Sequence, residues 1–175
     1  MVVVIMGVTG SGKTTVGKQL ASDLGWQYYD ADDFHPPANI QKMSDGIPLD
    51  DVDRQPWLES LRNLISESLR RNENAVLACS ALKRSYRDYL VIDERVKLIY
   101  LKGDYDLIRN RLTQRKGHYM DPNLLKSQFD ILEEPEREVQ VDIASGPDEI
   151  VRSIKARLSL SDTSSGADAG FSGTP

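Results

Sequence analysis

The stretch Val2-Val3-Val4-Ile5-Met6-Gly7-Val8-Thr9-Gly10-Ser11-Gly12-Lys13-Thr14-Thr15-Val16 decides the fold of this chain. Residues 2–6 are a continuous apolar run, mostly β-branched. Such a run suits a strand buried on both faces, as in a parallel sheet. Residues 7–14 then match G-x-x-x-x-G-K-[ST] at every fixed position. A helical pattern follows from Lys13 to Leu24, and Gly25 ends it. Strand, glycine-rich loop and helix, in that order, are the context in which this motif forms a phosphate-binding loop. The glycines let the backbone curl so that several N–H groups point at phosphate oxygens. The helix N-terminus adds its dipole. Gly7, Val8, Thr9, Gly10, Ser11, Gly12, Lys13, Thr14 and Thr15 are therefore the expected nucleotide site, with ATP as the expected ligand. Lys13 is expected to reach the β- and γ-phosphates, and the Thr14 hydroxyl to ligate Mg²⁺. The competing reading is a glycine-rich turn with no ligand.

Working outward, strand and helix patterns alternate. Trp26 to Asp30 reads as a second short strand. A polar, proline-marked stretch follows from Ala31 to Gln55, with a short helix near Asn39 to Met43. Pro56 suits the first turn of the next helix, in which Trp57, Leu58, Leu61, Leu64, Ile65 and Leu69 recur at helical spacing. Residues 75–79 form a third strand, 83–91 a helix and 96–101 a fourth strand. Asp104 is placed to cap a helix carrying Leu107, Ile108 and Leu112. Residues 116–121 read as a mobile polar loop. A helix over 124–132, a last strand over 139–144 and a helix opened by Pro147 complete the series. This alternation predicts a three-layer α/β/α P-loop NTPase fold with a mainly parallel five-stranded sheet and right-handed crossovers. Residues 1–158 are expected to form one domain. Ser159 to Pro175 has too little apolar surface to offset ordering entropy, and is expected to be a flexible tail.

At 175 residues the chain can bury a core without staples. The formal net charge of −5 argues against nucleic acid or an anionic membrane as the main partner. Cys79 is the one cysteine, so no intrachain disulfide and no cysteine-based zinc cluster can form. It is expected to be a small core residue. A single cysteine fits a reducing, cytoplasmic setting. The opening apolar run is too short to span a bilayer and lacks the basic start and cleavage region of a signal peptide, so it reads as a first strand.

A phosphate loop does not by itself separate a kinase from a GTPase or another ATPase. No Asn-Lys-x-Asp guanine motif is present, and no apolar strand ends in a Walker B aspartate, since the run at 75–79 leads into Ser80. Asp30, ending the second strand, is the best second partner for Mg²⁺, through water.

Beyond the loop, several segments together carry a specific pattern. They are Asp30-Ala31-Asp32-Asp33-Phe34-His35-Pro36, Lys42-Met43 with Gly46-Ile47-Pro48-Leu49, and Asp53-Arg54-Gln55-Pro56-Trp57-Leu58. They continue with Cys79-Ser80-Ala81-Leu82-Lys83, Tyr86-Arg87-Asp88, Arg115-Lys116-Gly117-His118-Tyr119-Met120, Gln128-Phe129 and Leu132-Glu133. In these the chain resembles the gluconokinases of the shikimate-kinase-like P-loop group, over about residues 2–158. The resemblance implies ATP-dependent phosphorylation of D-gluconate at its 6-hydroxyl, giving 6-phosphogluconate. Alternatives are another small-molecule P-loop kinase, such as a shikimate or nucleoside monophosphate kinase, and a silent nucleotide-binding module. Many relatives are dimers, so a homodimer stands as an expectation, though no segment marks an interface.

Within those segments the residues can be weighed physically. Asp32 lies just past a strand end, where open α/β sheets place ligands. It is the candidate to accept the attacking hydroxyl's hydrogen bond and later its proton; the alternative is a carboxylate that solvates the turn. His35 is a candidate for sugar hydroxyls or an incidental loop histidine. A sugar acid calls for cations and hydrogen-bonding side chains. Arg54, Ser80, Lys83, Arg87, His118 and Gln128 are the candidates, with Arg54 alternatively pairing with Asp50, Asp51 or Asp53, and Gln128 alternatively a surface residue. The developing charge on the transferred phosphoryl calls for an arginine, for which Arg115 is the candidate. Arg111 would stack on adenine or pair with a carboxylate. Residues 115–121 would form a lid that closes and excludes water. Trp57 and its leucine stripe read as core packing.

Overall fold

The computed structural model describes residues 1–114 and 122–162. Five strands are present: β1 (Val2–Met6), β2 (Gln27–Asp30), β3 (Ala75–Ala78), β4 (Val96–Lys102) and β5 (Val139–Asp142). Seven helices run between and after them: α1 (Lys13–Leu24), α2 (Pro37–Ser44), α3 (Asp51–Arg70), α4 (Arg84–Leu90), α5 (Tyr105–Gln114), α6 (Pro122–Ile131) and α7 (Pro147–Leu158). A single 3₁₀ turn at Ala31–Phe34 follows β2.

The sheet order is β2-β3-β1-β4-β5, and every pairing is parallel. Strand β1 is central, with Ile5 level with Ala78 on one side and Ile99 on the other. All five of its residues are buried, as the unbroken apolar run requires. Val2, Val4 and Met6 join the core under α3 and α4. Val3 and Ile5 join the opposite core, with α1 and α7. Each large apolar side chain buried this way contributes about 1.5–3 kcal/mol before entropy is counted. The chain leaves β1 first toward β3 and β2, then crosses to β4 and β5. That reversal puts the loop after β1 at the switch point of the sheet, on the carboxyl edge where ligands bind in such folds.

Helix α3 starts five residues earlier than Pro56 predicts. The Asp50 side chain accepts from the Asp53 N–H, and the Asp53 side chain from the Asp50 N–H, a reciprocal capping box. This satisfies two orphan donors of the helix end. Pro56 lies inside the helix and removes one bond, to the carbonyl of Val52. Val52 is 80% exposed, so water can serve that carbonyl. At the other end of the chain, α7 closes on Ser159 in the left-handed conformation (φ 53°). Leu160 then donates back to Lys155 O, and Lys155 bonds both Asp23 and Asp162. Residues 159–162 therefore fold against α7, and the rest of the expected tail lies outside the described residues.

Candidate active site

The phosphate loop leaves β1 at Gly7, whose N–H donates to Ser80 O beyond β3. Ser11 N–H donates to Val8 O, which closes the curl. At Gly10 (φ 77°) any other residue is strained by the positive φ, and a Cβ there would lie 2.8 Å from Leu112 Cδ2 of α5, so that leucine would have to shift. Gly12 (φ 98°) is the N-cap of α1, in a conformation that L side chains rarely adopt. Lys13 Nζ folds back to donate to Val8 O at 3.0 Å. Burial pulls the Lys13 ammonium below the usual lysine range, against the opposing pull of the Asp32 charge. Thr9 N–H donates to Gln128 Oε1 of α6 at 2.6 Å.

Asp30 ends β2 beside the start of α1. Its Oδ2 accepts from Thr14 Oγ1 at 3.3 Å and from the Tyr28 hydroxyl at 3.0 Å, and its Oδ1 accepts from Asp32 N–H. The last bond makes Asp30 the N-cap of the 3₁₀ turn. That turn holds Asp32 toward the loop. Desolvation, with the neighbouring Asp30 charge, raises the Asp32 carboxyl above the usual range, and the Lys13 cation partly offsets this. The turn is anchored from below by Trp57, 3% exposed, whose indole N–H donates to Ala31 O at 2.7 Å. His35 stacks on that indole. Burial lowers the His35 imidazole, so it is neutral at pH 7.

A cavity of roughly 770 Å³ opens beside this cluster. Arg54, Ser80, Lys83, Tyr86, Asp51 and Gln128 give it a polar wall, and Ile47, Leu49, Leu82, Leu124 and Ile131 an apolar one. Lys83 Nζ reaches both Asp51 oxygens at 2.6 and 2.7 Å, and the Tyr86 hydroxyl donates to Asp51. The Arg54 guanidinium lies over the Tyr86 ring, 6.0 Å from its centroid, and pairs with no described carboxylate. A smaller groove of about 290 Å³ lies at the starts of β4 and β5, at the other edge of the sheet.

A shikimate kinase family model matches residues 9–158. The thermosensitive gluconokinase of Escherichia coli strain K12 is 46% identical, over 78% of this chain and 74% of that protein. The crystal structure of a gluconokinase from Sinorhizobium meliloti is 44% identical, covers 90% of each chain and superposes with a TM-score of 0.79. The chain belongs to the gluconokinase family. A sugar kinase structure from Janibacter is 38% identical with a TM-score of 0.83, over 91% of this chain and 95% of that one.

Arg87 and Arg111 are not among the residues that line the large cavity. Arg87 is 4% exposed and lines the small groove. Its Nη1 donates to Ala81 O and Leu82 O, bracing a turn in which Ala81 takes φ 44°. A side chain so placed braces the turn, whatever it contributes to the acceptor. Gln128 reaches the phosphate loop as well as the cavity. Arg111 is tied by Nη2 to Ile143 O just past β5, with no carboxylate partner among the described residues. Arg115, His118 and the expected lid lie outside the described residues. Asp51 and Tyr86 are cavity residues that sequence reasoning undervalued. The Asp50-x-x-Asp53 capping pattern was the available signal, since it puts Asp51 at the first position of α3. Cys79 is buried, as expected, and its thiol is pushed up to about 12 by desolvation. Among the described residues, no cluster of three His, Cys, Asp or Glu side chains suits a metal, and no helix is long and apolar enough to cross a membrane.

Proposed function

We propose that this kinase transfers the γ-phosphoryl group of ATP to the 6-hydroxyl of D-gluconate, giving 6-phospho-D-gluconate and ADP. The carrying observation is the cavity beside the phosphate loop, which sets Arg54 and Lys83 with hydroxyl, carboxylate and carboxamide groups. That set suits an acceptor bearing one carboxylate and several hydroxyls. Relatives named gluconokinases over most of their length favour the same acceptor.

In this reading Lys13 and the loop N–H groups bind the phosphates. Asp32 faces the acceptor hydroxyl. An oxygen–phosphorus bond forms, the bond to the β,γ-bridging oxygen breaks, and ADP leaves with that electron pair. The hydroxyl proton passes to the Asp32 carboxylate, whose raised affinity for a proton suits that role. Thr14 and Asp30 supply a hydroxyl and a carboxylate oxygen side by side. This hard-oxygen pair fits Mg²⁺, which typically takes one or two protein oxygens along with substrate phosphates and water. The ion would neutralise charge on the phosphates. Arg54, Lys83, Ser80, His35, Gln128 and His118 hold the sugar acid, Arg111 flanks the nucleotide, and Arg115 stabilises the transferred group. A cytoplasmic homodimer completes the proposal, and its mass in solution tests the dimer.

The deciding experiment follows ADP release over a panel of sugar acids, shikimate and nucleoside monophosphates. Turnover with gluconate well above every other acceptor is expected. Turnover with shikimate or a nucleotide, and none with gluconate, overturns the acceptor.

A further inference from the structure

We infer that Gln128 is a positioning residue that couples the acceptor cavity to the phosphate loop, its carboxamide held at one end by Thr9 and presented to the cavity at the other. The inference rests on the kinase reading above. Helix α6 is firmly seated: Leu125 is buried, and Phe129 meets Tyr105 edge-on with ring centroids 5.3 Å apart. Its other face, with Leu124, Ser127, Gln128 and Ile131, lines the large cavity. One side chain of that face crosses to the loop, where Gln128 Oε1 accepts from Thr9 N–H at 2.6 Å, from 119 residues away in the chain.

A backbone N–H only donates, so the oxygen end of the carboxamide must face Thr9. The Nε2 end keeps two donors, on a side chain that lines the cavity. No described residue accepts from them. Hydroxyl and carboxylate oxygens of a sugar acid are the acceptors that suit these donors. When Nε2 donates to the ligand, the amide polarises and its oxygen binds Thr9 N–H more strongly. The same contact removes the side chain's remaining rotational freedom. Thr9 neighbours Val8, whose carbonyl closes the loop through Ser11 N–H and receives Lys13 Nζ. Acceptor binding thus stiffens the loop that receives ATP. By linkage, each ligand must then tighten the other by the same factor.

The test is calorimetry of a non-hydrolysable ATP analogue with Mg²⁺, with and without saturating D-gluconate. Wild type is expected to bind the analogue about tenfold more tightly with gluconate present, within the usual range of coupling. Gln128→Ala should cut that factor below about twofold. Gln128→Met, which keeps the volume without polar atoms, serves if the alanine variant is unstable. A variant that retains the wild-type factor overturns the inference, even if its KM for gluconate rises, because Gln128 is then only a contact residue. Wild type that turns over gluconate without coupling also overturns it and leaves the function standing. Wild type that neither binds nor uses gluconate removes both.

Discussion

The His35 imidazole lies parallel on the Trp57 indole, with ring centroids 4.8 Å apart and planes 8° from coplanar. The same indole donates to Ala31 O at the head of the 3₁₀ turn. Trp57 therefore holds two points of the segment that carries Asp32. Trp57→Phe keeps an aromatic ring but leaves a buried carbonyl unpaired, a cost of about 1–3 kcal/mol. We expect lower stability in urea and a fall in kcat larger than the change in KM for ATP. An unchanged kcat with the stability loss would reduce Trp57 to packing.

His35 supplies a pH signature. Its imidazole is held below the usual range by burial, and its Nδ1 has no partner among the described residues. Above the ordinary histidine value near 6.5 both states are neutral and folding stability is complete. As pH falls below that value the unfolded chain takes up the proton first, so stability drops until the folded-state value is passed. His35→Gln should flatten this slope. Urea titrations between pH 7.5 and about pH 5 check it, and equal slopes in the two proteins would count against it.

Asp32 trades stability for chemistry. Its raised carboxyl means that ionising it in place costs folding free energy. The penalty is absent below the ordinary value of 3.8, grows as pH rises toward the folded-state value, and is complete above it. Asp32→Asn is therefore expected to raise the melting temperature at pH 7 and to leave it unchanged at strongly acidic pH. Turnover should fall by about 10²-fold or more, in keeping with loss of a general base, while ATP binding holds. Near-wild-type turnover in this variant would remove Asp32 from the reaction.

Arg87 separates bracing from binding. Its buried Nη1 serves two carbonyls of the turn that leads to Lys83. Arg87→Met leaves both unpaired and should cost roughly 2 kcal/mol or more. Lys83→Met, at a half-exposed side chain paired with Asp51, should cost far less stability yet raise KM for gluconate more. The opposite ordering of the two KM effects would place Arg87 in the substrate site.

The parts legible in the sequence were local. The run Val2 to Met6 announced a doubly buried strand, because every side chain must be apolar when both faces are covered. The glycines of residues 7–14 announced a curled loop. The start of α3 was misread from Pro56, since a capping pair of aspartates outweighed the proline signal. Chemistry types at the site were legible too, as cations and carboxylates clustered at strand ends.

What the sequence determined by itself was the strand, loop and helix that form the phosphate site, the parallel α/β class and the family. Each of these depends on spacing within a few residues, or on several motifs read together. What only the tertiary structure decided was the role of side chains whose partners lie far along the chain. Arg87 and Lys83 have the same sign and lie four residues apart, yet one is buried against carbonyls and the other opens to the cavity. Trp57 meets Ala31 across 26 residues, and Gln128 meets Thr9 across 119. Hydrogen bonds and desolvation act through space, so the fold alone chose which polar groups surround the phosphate loop.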